Sequence, residues 1–266
     1  MNKFRCLRLS VLAEAEETVH LPPYQGSALR GAFGYALRDA VCVVRNRECR
    51  ECSLKSGCVY SYTFETPPPS ESEMLRKYTA VPHPFVLHPV TGETGIFRPG
   101  TRLRFGMTLV GRAVEYVPYF VFAFMKMGAR GVGRGRGKFR LIRIDALDSA
   151  GMPADAVYEN EILKSPETVL TGEDVRELAR AVPSDRISLR FLTPLRIRYK
   201  NSFHGEIQFH ILIRSLLRRL SSLLYFHCGQ RLDIPFKEII EKAESVRLTR
   251  NETRWYDWER FSGRQK

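Results

Sequence analysis

The order of the strand-like and helix-like segments constrains the fold of this chain more than any other feature. Residues 3–12 roughly alternate apolar and polar side chains, which is typical of a strand. The segments that follow predict a helix, a β-hairpin, a buried helix and a strand, at 28–43, 83–112, 115–129 and 139–147. This βαββαβ order is that of the ferredoxin-like fold, in which two helices cover one face of an antiparallel sheet.

The same order of elements begins again in the second part of the chain. An acidic linker is expected at 166–185, and the elements after it are a strand, a helix and two strands, at 187–199, 206–228, 243–251 and 254–261. The chain then ends one helix and one strand short of a complete unit. We therefore predict an α+β protein with tandem ferredoxin-like (RRM-like) domains, at 1–165 and 186–266, the second truncated at its C-terminus. An open sheet edge favours self-association, so a homodimer is one expected assembly.

The charge of the chain favours a polyanionic partner. The 266 residues include 42 Lys and Arg against 29 Asp and Glu, a formal net charge of +13. Residues 128–143 hold six basic residues and no acidic one, and residues 186–231 hold nine basic residues and one acidic one. The hydrophobic content of 44% excludes a mainly disordered chain. Because no targeting or membrane-spanning segment is evident, we expect a cytoplasmic protein.

The most unusual segment combines glycine with basic residues at 128–138. Glycine at every second position from 131 to 137 lets the backbone approach a ligand closely, and Arg130, Arg134, Arg136 and Lys138 supply positive charge. The spacing excludes a Walker loop and a dinucleotide fingerprint. We predict direct contact with nucleic acid, and the alternative is a flexible, solvated basic loop.

Four cysteines lie within a short insertion at 42–60. Cys42, Cys49, Cys52 and Cys58 supply four thiols that include one C-x2-C pair, which is typical of a structural zinc site. An iron–sulfur cluster accepts the same four ligands. Disulfides or free thiols are the remaining alternatives, and a cytoplasmic location disfavours disulfides.

Two histidines are candidates for acid–base chemistry. His20 follows the first strand, and His204 precedes the helix of the second part. Either can exchange a proton near neutral pH, with Tyr24 or Tyr35 as a possible partner. The alternative for each histidine is a structural or surface role.

A second basic surface is expected near residue 200. The segment 190–200 alternates basic and apolar residues, so a strand here would place Arg196, Arg198 and Lys200 on one face. Such a face suits a nucleic-acid backbone, and it is equally typical of an ordinary solvated sheet face.

Six segments together resemble one protein family. In chain order they are LPPYQGSALRGAFGYALR (21–38), the cysteine insertion that ends in CVY (58–60), MTLVG (107–111), GARGVGRGRGKFRL (128–141), LRFLTPLRIRYKN (189–201) and WYDWERFSGRQ (255–265). In this order they resemble the CRISPR-associated precursor-RNA-processing endoribonucleases of the RAMP superfamily. The resemblance spans nearly the whole chain.

The resemblance implies a function and a set of residues. It implies tandem ferredoxin-like domains with RNA bound across them, and metal-independent cleavage of a CRISPR repeat by attack of a 2′-hydroxyl on the adjacent phosphate. The family often places a catalytic histidine near the first helix; here Tyr35 stands at that place and His20 is the nearest histidine. His20 and Tyr35 are thus the expected acid–base pair, and Arg30 and Arg38 of the first helix are expected to contact RNA.

Two other functions remain open at this point. The first is a non-catalytic RAMP subunit that holds guide RNA in a CRISPR effector complex with other subunits, which the lack of a histidine on the first helix favours. The second is an unrelated zinc-stabilised nucleic-acid-binding protein.

Overall fold

The described residues form a mixed α and β structure. Among the described helices, none combines the length and the apolar character needed to cross a bilayer. The computed structural model describes residues 1–45, 47–69, 72–75, 80–89, 95–183, 185–203 and 207–257.

All described strands longer than two residues lie in the first part of the chain. In chain order they are β1 (Arg5–Ala15), β2 (Val19–His20), β3 (Phe85–His88), β4 (Ile96–Phe97), β5 (Arg102–Val110), β6 (Phe139–Leu147), β7 (Pro153–Glu159), β8 (Ile162–Leu163), β9 (Leu170–Thr171), β10 (Arg198–Tyr199) and β11 (Ser202–Phe203).

Five α-helices accompany these strands. They are α1 (Gly26–Val41), α2 (Val117–Arg130), α3 (Gly172–Arg180), α4 (Phe209–Cys228) and α5 (Phe236–Glu244). A π-helical turn covers Ser61–Glu65, and a 3-10 turn covers Gly111–Tyr116 directly before α2.

The main sheet is built around β1. This strand pairs antiparallel with β5 on one side and with β6 on the other, and β9 pairs with its first residues. Strand β3 lies beside β5, while β7 and β8 extend the sheet beyond β6. The central order β3-β5-β1-β6, antiparallel throughout, is the ferredoxin-like arrangement. The predicted α+β class with antiparallel sheets is therefore confirmed.

Helices α1 and α2 pack on one face of this sheet through aromatic side chains. Leu7 and Leu9 of β1 are at most 2% exposed on that face. The ring of Phe33 on α1 lies 5.9 Å from that of Phe120 and 5.2 Å from that of Phe124, both on α2. Burial of these large apolar side chains supplies the main stabilisation of the first unit.

The two helices of the first unit follow the sequence pattern closely. Helix α1 begins at Gly26, two residues before the predicted start, and ends at Val41, two residues before the predicted end. Helix α2 begins at Val117 with Pro118 in its first turn, where proline costs no backbone hydrogen bond.

The segment expected as an acidic linker contains regular structure. The Thr171 hydroxyl accepts a hydrogen bond from the Glu173 backbone N–H, and the Asp174 carboxylate accepts one from the Thr171 backbone N–H. This reciprocal cap starts α3, and the preceding β9 pairs with Arg5 and Cys6 of β1. Part of the predicted linker is thus joined to the first sheet.

The second part of the chain differs from the predicted strands. The strand expected at 187–199 is limited to β10. No described strand lies beside residues 187–197 to pair with their backbone. The strand expected near 243–251 is wrong, since α5 extends to Glu244 and the residues to 251 form no strand. Residues 254–257 are not strand, and 258–266 lie outside the described residues. The division into two domains stays a prediction.

Helix α4 is fixed to the first unit at its C-terminal end. His227 Nε2 donates to the Pro82 carbonyl (2.7 Å), and the Tyr62 hydroxyl donates to His227 Nδ1 (3.0 Å). Burial lowers the pKa of His227, which keeps the ring neutral. Gly111 must be glycine here, because its φ is +61° and an added Cβ would lie 2.0 Å from the His227 carbonyl oxygen.

The aromatic core of the first unit predicts a large effect of one substitution. Phe33→Ala should lower the free energy of unfolding by about 3–5 kcal/mol, because it leaves a cavity among fully buried side chains. Tyr35→Ala is the matched control on the same helix, since Tyr35 is 69% exposed, and it should cost at most about 0.5 kcal/mol. Urea unfolding followed by circular dichroism measures both, and equal losses would contradict the assigned core.

Candidate nucleic-acid interface

The glycine-basic loop, residues 128–138, folds back on itself and against β2. The Val132 N–H donates to the Gly137 carbonyl (3.0 Å), which closes a tight turn after α2. The Arg134 N–H donates to the carbonyl of His20 (2.9 Å), at the end of β2. A segment expected to contact nucleic acid is thus held beside one of the two predicted catalytic residues.

The glycines of this loop allow its close approach to β2. At Gly133, where φ is +72°, an added Cβ would lie 1.9 Å from the His20 carbonyl oxygen. At Gly137 it would lie 2.2 Å from the Thr18 carbonyl oxygen. Both distances are far below van der Waals contact, so glycine is required for the observed packing.

The cations of the loop fall into two groups. Lys138 pairs with Glu17 (3.2 Å between Nζ and Oε1), and Arg130 pairs with Asp39 of α1 (3.4 Å between Nη1 and Oδ2). Arg134 and Arg136 are exposed and form no ion pair with any described residue. These two guanidinium groups are therefore the ones available to a phosphate backbone without displacement of a carboxylate.

The predicted acid–base pair is not assembled in this structure. His20 is exposed beside the glycine-basic loop, whereas Tyr35 projects from the solvent side of α1. Among the described residues, no hydrogen bond or ring contact joins the two side chains. The other histidine candidate, His204, lies outside the described residues.

The two arginines expected on α1 are each held by a neighbouring segment. Arg30 Nη2 donates to His83 Nε2 (2.8 Å), and its guanidinium lies 4.6 Å from the centre of the Phe64 ring. Arg38 Nη2 donates to the Arg47 carbonyl (3.2 Å) in the cysteine insertion. Arg38 thus supports that insertion, while Arg30 remains at an exposed surface.

The four cysteines of the insertion are free thiols that do not converge on one centre. Cys42 Sγ donates to the Val44 carbonyl (3.3 Å), and burial raises the pKa of Cys49. In the described part of the chain, no three His, Cys, Asp or Glu side chains are grouped to hold an ion. The zinc or iron–sulfur site therefore stays a prediction, which metal analysis of the purified protein tests.

The second basic surface is organised around aromatic rings. The Arg196 guanidinium lies 4.0 Å from the centre of the Phe203 ring, across the β10–β11 hairpin. Arg198 lines a cavity of about 410 Å³ between this hairpin, α4 and α5, together with Arg214 and Arg218. Among the described residues, no hydrogen bond or ion pair joins this surface to the glycine-basic loop.

One histidine that the sequence did not single out has a defined environment. His83 Nδ1 donates to the Thr66 hydroxyl oxygen (3.1 Å), which fixes Nε2 as the acceptor from Arg30. The flanking Pro82 and Pro84 restrict its backbone, which was the available signal in the sequence. His83 contacts residues that lie 17 and 53 positions earlier in the chain, and a local sequence pattern cannot predict such contacts.

The close approach of the loop to β2 predicts that alanine has different effects at two of its glycines. Gly133→Ala should displace the loop, because its Cβ overlaps the His20 carbonyl, whereas Gly135→Ala meets no atom within 4 Å. Both glycines have positive φ, so the pair separates overlap from backbone strain. Hydrogen exchange of the Arg134 amide should rise much more in the first variant, and equal rates would contradict the packing.

The chain has a relative among known proteins. A 25% identical relative, an uncharacterized protein of Archaeoglobus fulgidus, matches over 203 residues, which are 74% of this chain and 63% of the relative. The chain thus spans less than two thirds of that relative's length.

Two solved structures are among those that the chain matches. A Cas6 product complex is 17% identical, covers 90% of this chain and 72% of its own, and has a TM-score of 0.48. The Csm3-Csm4 subcomplex of the type III-A CRISPR-Cas interference complex is 16% identical, covers 60% of this chain and 92% of its own, and has a TM-score of 0.35. The family model AF_1859_N, N-terminal domain, matches residues 4–170, so the chain belongs to this family.

Proposed function

We propose that this chain binds CRISPR repeat RNA through the glycine-basic loop and cleaves it without a metal ion. The observation that carries the proposal is the loop itself, whose exposed Arg134 and Arg136 lie beside the exposed His20. The net charge of +13 and the six ordered segments of the sequence support RNA as the partner.

The proposed reaction is an internal transesterification. A base removes the proton of a 2′-hydroxyl, the 2′-oxygen attacks the adjacent phosphorus, and the bond to the 5′-oxygen breaks. An acid protonates that leaving oxygen, so the products are a 2′,3′-cyclic phosphate and a 5′-hydroxyl. His20 is proposed as the histidine of this acid–base pair with Tyr35 as its partner, and the loop arginines are proposed to stabilise the charge on the phosphorane.

A second candidate function is supported by the position of Tyr35. The tyrosine is 69% exposed on α1 and makes no described contact with His20. An unassembled acid–base pair favours a non-catalytic RAMP subunit that holds guide RNA beside other CRISPR effector subunits. The two functions share the RNA-binding surface and differ only in the fate of the RNA.

RNA binding by the loop predicts a salt-dependent loss on neutralisation. Arg134→Gln with Arg136→Gln should weaken binding of repeat RNA, because two phosphate contacts are removed. The slope of log K against log salt concentration should become smaller by about 1.4, the value for two contacts on single-stranded RNA. Fluorescence anisotropy from 50 to 300 mM salt measures both quantities.

The control for this prediction removes the same charge elsewhere. Arg176→Gln with Arg180→Gln alters two arginines of α3 that pair with Glu173. This variant should keep the parental slope to within about 0.5. If both double variants lose the same slope, only net charge matters and the loop is not the binding site.

Cleavage predicts discrete RNA products in the presence of EDTA. Repeat RNA incubated with the protein should give a cyclic phosphate end, and a single 2′-deoxy substitution at the cleaved position should abolish the product, because the nucleophile is missing. His20→Ala should lower the single-turnover rate by about 10²–10⁴-fold. Gel separation with end mapping measures these results.

The outcomes of this experiment separate the two candidate functions. Activity that EDTA abolishes would contradict the proposed reaction. Tight binding that leaves the RNA intact under all conditions would support the non-catalytic subunit instead. Parental cleavage by the His20 variant would remove His20 from the acid–base pair.

A further inference from the structure

The cavity between the β10–β11 hairpin, α4 and α5 has the size of a small-ligand site. Its volume is about 410 Å³, within the range of about 300–1,000 Å³ that is usual for such sites. Apolar side chains from all three elements line it and are half-buried, among them Ile197, Leu217, Phe236 and Ile240. The cavity therefore offers an apolar surface to the body of a ligand.

The hairpin that forms one wall of the cavity is held in a defined position. Lys200 and Asn201 at its turn both have positive φ (47° and 65°), which is the conformation that fits the twist of a two-residue hairpin. The Tyr199 ring meets the ring of His210 on α4 edge-on, with 5.8 Å between the ring centres. The wall is thus fixed both by its own turn and by a contact with α4.

Three arginines line the cavity, and one of them is paired with a carboxylate. Arg214 Nη2 donates to Glu244 Oε1 of α5 (3.0 Å). The exposed Arg198 and Arg218 form no side-chain hydrogen bond or ion pair with a described residue, and the described lining includes no Asp or Glu. Positive charge next to an apolar surface favours a ligand that joins an anionic group to an apolar body.

A buried donor beside the cavity indicates the chemistry of that body. Arg214 Nε is buried without an acceptor among the described residues, one of two such side-chain atoms in that part of the chain. Such a donor costs free energy, which an acceptor on a bound ligand would recover. A hydrocarbon has no acceptor, whereas the edge of a nucleobase carries several. The lining also contains the rings of Tyr199 and Phe236, and aromatic rings are the side chains on which bases stack.

We propose that this cavity binds one unpaired nucleotide, with its base against Tyr199 and the apolar side chains and its phosphates at Arg198 and Arg218. That the nucleotide belongs to an RNA chain rests on the proposed function. The site shares no residue with the glycine-basic loop. It makes the protein select RNA that has an unstacked base at a set position, which phosphate contacts alone do not achieve.

The first test uses adenosine 5′-monophosphate and needs no RNA. An NMR titration of the protein should show saturable binding at millimolar concentration, and ribose 5-phosphate, which lacks the base, should bind about tenfold more weakly. Arg198→Gln with Arg218→Gln should weaken binding of adenosine 5′-monophosphate by about tenfold or more. Arg190→Gln with Arg247→Gln is the matched control and should keep the parental affinity, since both arginines are exposed and lie outside the described lining.

Three results of this titration would overturn the proposal. The first is the absence of saturable binding. The second is equal affinity for adenosine 5′-monophosphate and ribose 5-phosphate, which would indicate a surface for anions that does not contact the base. The third is tighter binding of decanoate than of adenosine 5′-monophosphate, which would assign the cavity to apolar anions.

The second test removes single bases from the repeat RNA. An abasic substitution at each unpaired position in turn should weaken binding at one position by about 5–150-fold, the range for one stacked base. Tyr199→Leu should remove most of this penalty, because the ring against which the base lies is gone. Tyr256→Leu is the matched control, an exposed tyrosine outside the described lining, and it should keep the penalty. Fluorescence anisotropy measures each affinity.

Together the tests distinguish failure of the cavity from failure of the proposed function. Binding of adenosine 5′-monophosphate that the Arg198 and Arg218 double variant loses, with no binding of repeat RNA, would support the cavity and contradict RNA as the partner. RNA binding without a penalty at any position, or with a penalty that Tyr199→Leu retains, would refute the cavity as a base site and leave the proposed function standing.

Discussion

The central position of β1 is the constraint on which the rest of this structure depends. Its eleven residues form two long antiparallel ladders, with β5 and β6, and its first residues also pair with β9. Because one face of β1 is buried, a shift by one residue would expose the apolar side chains, so the register is fixed. The chain then turns from Ala15 into β2, and this places His20 beside the glycine-basic loop.

Much of the first unit could be predicted because its signals are local. The alternation in β1, the buried helix with Pro118 in its first turn and the apolar hairpin strands each reflect one face of one element. The glycine spacing of the loop predicted a close approach to a ligand, and the structure shows a close approach to the chain itself, at Thr18 and His20.

The misses share a physical cause, which is that the deciding contact lies far away in the chain. The alternating segment before Arg198 needed a neighbouring strand to become a sheet, and none is described beside it. His83 acquires its environment from Thr66, Arg30 and Arg219, which come from three separate segments. Tyr35 and His20 are only fifteen positions apart, yet no described hydrogen bond or ring contact joins their side chains.

The two outer strands of the main sheet have a consequence for how molecules of this protein can meet. Strand β3 at one edge has four residues and β8 at the other has two, so each offers few unpaired backbone groups. Long exposed edges invite other chains to add strands, and short ones protect against such association. The net charge of +13 also makes two copies of the chain repel each other. Contacts between copies through β3 and β8 are thereby disfavoured.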